Sequence, residues 1–447
     1  MIVKKYIIPF IFITSLSAIG QKITVGYVPL TLSFIFLASS SKEDFVITIF
    51  ILCFNFGIVE FDTLFNGIKS YDVIIPLVSI VFLISISLGN YKLKNNDIII
   101  ILRYYIFFLF VNVLIELHSA DNITSKLAGF RQLFGFLFIL FPLLVYRNES
   151  ANAEKLLSRL TEYWYVFSLL IIAQAFIIKY PIFFTANAKG VIGGYERSYN
   201  NLAFRVYPPA FSLMIFYLFY ITDKSGSKKN LKVIDILRNF LAALGSLTRS
   251  LWGAIIGSIF LTVPFSRKVK YGLMSIVVVW VLLEIERQFG IDLRLTSFFD
   301  QIYLAVKYRD YLSLGTGRYL QAQYPIYYFI NNLDTFWGVG LLSPEKSSVS
   351  SYFSPFFIGA NHFITEVEVG YAAYFIACGI IGIANLIYFL ISIWKVVKKY
   401  NYANLYKQLI AFILIAQIGG FFSFLGSDTW GILGMTVALI SLSGKSP

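Results

Sequence analysis

The stretch DIIIILRYYIFFLFVNVLIEL, residues 97–117, is long and apolar enough to cross a bilayer, whose hydrocarbon core takes about 20 consecutive apolar residues in a helix. Runs of the same kind recur along the chain. Of its 447 residues, 58% are hydrophobic and 14% charged, against the roughly 25% charged of a soluble globular domain. Composition therefore predicts an all-α polytopic membrane protein, a single integral membrane domain over residues 1–447. Phe and Tyr are so frequent, 45 and 30 residues, that few small-residue patterns of tightly packed membrane helices are expected. Cys53 and Cys378 both fall inside apolar runs, which argues against a disulfide framework.

The length criterion gives about 12–14 transmembrane helices, several of them short. They lie near 6–20, 24–38, 44–60, 72–89, 97–117, 129–146, 162–180, 205–222, 235–248, 250–265, 270–287, 367–394, 408–424 and 428–443. The first carries Lys4 and Lys5, an apolar core and then Ala18-Ile19-Gly20. That outline imitates a secretory signal, and we read it as a retained first span. Short cytoplasmic loops collect Lys and Arg, so numbering the gaps alternately tests sidedness. The even gaps hold Lys42, Lys92, Lys94, Arg147, Arg159, the cluster Lys224, Lys228, Lys229 and Lys232, then Arg267, Lys268 and Lys270, and finally Lys395, Lys398, Lys399 and Lys407. The odd gaps are poorer. This predicts a multi-pass membrane protein with both termini cytoplasmic. The net charge of +13 is then mainly a topology signal and an attraction to anionic membrane lipid, and nucleic acid is not expected as a partner.

Two gaps on the outer, periplasmic side differ from the rest. Residues 288–366 form a large loop, far longer than an ordinary connection. Residues 181–204 form a smaller one that contains TANAKGVIGGYERSYNN. Within the large loop Phe298, Phe299, Ile302, Tyr303 and Val306 recur at helical spacing, with Asp300 and Lys307 off the stripe. That pattern suits a helix lying in the membrane interface or one packed on the spans.

Chemistry on the outer side has few candidate residues. NNLAFRVYPPAF puts Arg205 and Tyr207 at the head of a span, and GSLTRSLWGA puts Arg249 at a turn between two apolar runs. GTGRYLQAQYP sets Arg318 behind two glycines, and ANHFITEVEVG closes the large loop with Asn361, His362, Glu366 and Glu368. An arginine at a span end also serves simply to reach the headgroups, and two glutamates suit an ordinary solvated helix start. If the chain is already helical at 362, His362 and Glu366 share a face while Glu368 points roughly 200° from Glu366. The charges together favour a phosphate-like anion, since the planar guanidinium fork binds phosphate oxygens in pairs. The outer loops hold no DxD-like acidic pair, so neither a metal nor another cofactor is expected, and arginines stand in for the cation.

SLTRSLWGAIIG, GTGR, the FWGVG turn at 336–340, then NHF with EVG leading into the next span, resemble the signature region of the O-antigen ligase and polymerase superfamily. FRVYPPAFSL, and FRQLFGFLFIL around Arg131, resemble its weaker upstream elements. The resemblance covers roughly residues 200–395. The chain departs from the pattern after the glutamate of EVG, where a GxxG-like step would follow at once; here GIIG stands at 379–382.

The resemblance implies a lipid-carrier-dependent, GT-C-like glycosyltransferase with a large periplasmic loop, acting on oligosaccharide linked through pyrophosphate to undecaprenol. Arg249 and Arg318 would hold the pyrophosphate, His362 would contact the acceptor or the phosphate and act as base, Glu368 or Glu366 would orient it, and Arg205, Tyr207, Asn361 and Arg131 would assist in binding. A polysaccharide chain-length regulator is an implied partner. Polymerase is the expected activity, since about 14 spans and an Ile, Phe, Tyr and Asn bias resemble the variable polymerases. Alternatives are a ligase acting on lipid A-core, a lipid-linked oligosaccharide flippase or transporter, and a structural role without catalysis.

Overall fold

The computed structural model describes residues 3–20, 23–54, 70–88, 96–118, 129–146, 152–178, 182–184, 211–224, 233–245, 249–262, 335–340, 370–417 and 424–445, with isolated positions between 269 and 331. Within them the chain is helical, with no strand and a single isolated bridge between Tyr400 and Lys445. In order run α1 (Ile8–Gly20), α2 (Tyr27–Ser40), α3 (Lys42–Phe54), α4 (Ser70–Ser87), α5 (Asn96–His118), a 3₁₀ segment (Arg131–Ile139) leading into α6 (Leu140–Tyr146), and α7 (Ala153–Ile172). Then follow α8 (Phe211–Lys224), α9 (Val233–Gly245), α10 (Arg249–Thr262), α11 (Gly370–Val397), α12 (Ala403–Ala416) and α13 (Ser427–Leu442). Each coincides with an apolar run, because a helix meets every internal backbone donor and acceptor within the segment itself.

Among the described residues three helices are long and apolar enough to cross a membrane: Asp97–His118, Ala153–Ile178 and Tyr371–Val397, with mean hydropathies of 2.5, 1.5 and 2.3. Seven shorter apolar helices of 10–17 residues accompany them. On α5 one face is buried through Ile101, Tyr105, Phe108 and Ile115, while Ile106, Phe107, Phe110 and Leu117 on the other are each at least half exposed. A helix apolar on both its packed and its exposed face suits a lipid surround better than water.

Ion pairs and ring contacts join ends that the sequence expects on one side. Lys5 meets Glu162 at 2.7 Å and Arg159 meets Asp44 at 2.6 Å. Lys399 and Lys445 both reach Asp97, at 2.5 and 3.2 Å. Phe219 near the end of α8 packs on Tyr402, ring centroids 5.4 Å apart, and Tyr402 N donates to Ser443 Oγ. All these residues flank even gaps. One expectation changes. α7 begins at Ala153, nine residues before the apolar run read from sequence, so Arg159 belongs to a helix rather than a loop. Leu156, Leu157 and Leu160 bury that extra stretch and carry the helix outward from the run.

Close packing corrects a second expectation. Few small-residue contacts were anticipated, yet α13 and the 3₁₀ segment approach backbone to backbone at glycines. A Cβ on Gly135 would lie 2.5 Å from Ser427 O, and one on Gly434 2.5 Å from Phe136 O. Gly135→Leu is expected to force these elements apart, at a cost of about 1–3 kcal/mol from overpacking alone. Thermal unfolding in detergent would measure it, and an unchanged Tm would mean the crossing is looser than its geometry.

Candidate functional site

Of the expected site residues only Arg131 and Arg249 lie within the described residues, and both begin helical segments at the end where the odd gaps lie. Arg249 is the first residue of α10. That helix starts four positions after α9 ends at Gly245, which packs beside Ala175 and Ile171 at the far end of α7 from Arg159. A cation in the first helical turn gains nothing from the helix dipole, whose positive end it shares. An anion there is favoured by the backbone N–H groups of the opening turn. Arg205, Tyr207, Arg318, Asn361, His362, Glu366 and Glu368 lie outside the described residues.

Arg131 opens the 3₁₀ segment and its Nη1 lies 3.2 Å from Asp72 Oδ2 near the start of α4. Tyr71 sits among Asp72, Arg131, Ser427 and Asp428, so the starts of α4, the 3₁₀ segment and α13 form one polar corner. A nine-residue 3₁₀ run is long for its kind. The glycine crossing with α13 accounts for it. Gly135 and Gly434 bring the two backbones together, and the tighter coil narrows the segment where they meet.

Beside this corner, α11 is broken. Gly379 has φ 61° and ψ −164°, which no helix accommodates, and positive φ is tolerated there because glycine has no Cβ. The freed backbone groups are all met by the 335–340 turn. Val339 N donates to Ile376 O at 3.1 Å and Gly340 N to Ala377 O at 2.8 Å, while Ile380 N donates to Thr335 O at 3.0 Å and Ile381 N to Phe336 O at 3.2 Å. The FWGVG and GIIG stretches, read as separate features, are thus one contact. Trp337 of that turn stacks on His118, ring centroids 4.0 Å apart and planes 6° apart. His118 Nδ1 is 2.8 Å from Leu114 O; a carbonyl only accepts, so Nδ1 carries the hydrogen.

α5 and α11 run antiparallel, Asp97 pairing with Lys399, Tyr104 with Tyr388, Phe108 with Phe389 and Asn112 with Cys378. That register sets Asn112 beside the break and carries His118, the last residue of α5, beyond it to the Trp337 side of the turn. Five polar side chains are buried along this seam: Asn112, Glu116, Tyr374, Cys378 and Asn385. Both amides donate to Phe108 O, Asn112 at 2.8 Å and Asn385 at 3.0 Å. Glu116 lies close enough to Cys378 to act on it electrostatically.

Sequence reasoning passed over His118 and Glu116, although both stand at the end of a strongly apolar run. A buried carboxylate at such a place is a signal in its own right. No protein-family model, no curated protein and no solved structure matches the chain. In the large loop Asp300, Tyr303 and Lys307 are helical. Tyr303 is exposed with the Lys307 ammonium 5.7 Å from its ring centre; Phe298, Phe299, Ile302 and Val306 of that stripe lie outside the described residues. Among the described residues no three His, Cys, Asp or Glu side chains gather as metal ligands, and the residues expected to do the chemistry lie mostly beyond them.

Proposed function

We propose that the chain is a membrane glycosyltransferase of the O-antigen polymerase type. It moves a growing undecaprenyl-pyrophosphate-linked glycan onto the next lipid-linked repeat unit at the outer face of the bacterial inner membrane. The acceptor hydroxyl attacks the anomeric carbon of the donor, the bond from that carbon to the pyrophosphate oxygen breaks, and the proton passes to His362, oriented by Glu368 or Glu366. The lipid pyrophosphate departs with its new charge held by Arg249 and Arg318, with no metal ion. Arg205, Tyr207, Asn361 and Arg131 line the substrates.

What carries this reading is the collection of the described candidate elements at one end. The head of α10 with Arg249, the 3₁₀ segment with Arg131, the head of α11 and the 335–340 turn all lie opposite the end where Lys5, Arg159, Lys399 and Lys445 are paired. A lipid-linked donor presents its pyrophosphate at one membrane face, so residues of one site must meet there. The alternative transporter would want its charges near the bilayer midplane, whereas Arg131 and Arg249 are each the first residue of their helical segment. The test is the lipopolysaccharide of a deletion strain. Core bearing a single repeat unit is expected; bare core with long lipid-linked chains accumulating would mean a ligase instead.

A further inference from the structure

The geometry points to the 335–340 turn as a pin that fixes the large loop to the transmembrane bundle, with Gly338 and Gly379 as positioning residues for the transfer reaction. The proposal rests on the polymerase reading for its consequence, and on the backbone for its substance. A helix broken within an apolar segment leaves two donors and two acceptors without helical partners, which hydrocarbon does not tolerate. The turn replaces the missing helical turn bond for bond, through Val339, Gly340, Thr335 and Phe336.

Only glycines allow so close an approach. A Cβ on Gly379 would lie 2.5 Å from Phe336 O and 2.6 Å from Gly338 N, and one on Gly338 would collide with Ala377 O and lie 2.6 Å from Gly379 N. Both positions also have positive φ, 82° at Gly338 and 61° at Gly379. The His118–Trp337 stack adds a second anchor, to α5. The part of α11 beyond the break, 379–397, rises about 28 Å, close to a bilayer core, so the pin sits where that span meets the surface. In sequence the turn stands between Arg318 and His362. At a reacting group a displacement of about 1 Å can cost on the order of 10²-fold in rate.

The test uses the full-length protein in nanodiscs, with hydrogen exchange and transfer between lipid-linked repeat units measured on Gly338→Val, Gly379→Val and the milder Gly338→Ala. Amides of 339–340 and 380–381 should be protected in the parent and lose protection together in the variants. Gly338→Ala adds the same Cβ without the further methyls, so its unfolding temperature should fall less than that of Gly338→Val; assayed where it remains folded and at equal membrane level, its kcat should fall by on the order of 10²-fold while KM for the lipid-linked unit changes little. Unprotected amides in the parent would overturn the pin. Joint loss of protection with unchanged kcat would overturn the positioning role alone, since Arg318→Ala in the same assay separately decides whether the polymerase reading stands.

Discussion

Arg318→Ala and Arg249→Ala are each expected to lower glycan transfer on the order of 10²- to 10³-fold, the usual cost of removing one donor aimed at charge that develops in a transition state. The physical basis is the leaving group. As the sugar leaves its lipid diphosphate, negative charge grows on the departing oxygen, and a guanidinium already in place stabilises it without reorganising. Arg249 has a further advantage as the first residue of α10, where the backbone N–H groups of the opening turn point at the same anion. Lysine should rescue poorly at both positions, because an ammonium is a point charge without the two-pronged geometry. Measuring chain extension of purified lipid-linked repeat units, with membrane levels of each variant checked, decides it. Activity abolished by EDTA and restored by magnesium would assign the charge to a metal and remove the arginines from that role.

Arg159→Ala should be the most damaging single change to stability, by about 3–5 kcal/mol, the range for removing one partner of a buried ion pair. Asp44 is 2% exposed at its side chain and Arg159 11%, so neither has water to fall back on. Asp44 Oδ1 takes the Arg159 Nε–H at 2.6 Å, and its Oδ2 accepts from Ser40 and Ser41 hydroxyls at 2.8 and 3.0 Å. Ser41 in turn caps α3 by accepting from Asp44 N at 3.1 Å. Arg159 also donates to Lys5 O at 2.9 Å and binds Glu162, which Lys5 holds from the other side. One guanidinium therefore ties α7 to the head of α3 and to the chain leading into α1. Native proteins have about 5–15 kcal/mol in all, so the variant should unfold in detergent well below the parent. Adding Asp44→Asn to Arg159→Leu should recover much of the loss, since it removes the stranded charge. A lone Arg159→Ala within about 0.5 kcal/mol of the parent would show that Asp44 is hydrated after all.

The apolar runs were legible from sequence because membrane insertion is read one segment at a time. Length and hydropathy of residues 97–117 suffice to place α5, and the parity of Lys and Arg anticipated which helix ends meet. Boundaries were less legible. α7 reaches back to Ala153 because Leu156, Leu157 and Leu160 find partners in other helices, and no window on that stretch reports them. The candidate site was legible as a set of residue types and an order of motifs. His118 and Glu116, which face Trp337 and Cys378, were missed because their interest lies in what faces them.

Helical class and the positions of the apolar segments follow from the order of residues alone, since each depends on neighbours along the chain. The tertiary structure decided the rest: that Arg159 answers Asp44 across 115 positions, that α11 breaks at Gly379, and that the turn at 335–340 fills the break. Such pairings depend on backbones brought within about 3 Å by the packing of several helices. A chain read in one dimension records the glycines that permit the approach and leaves open which two will meet.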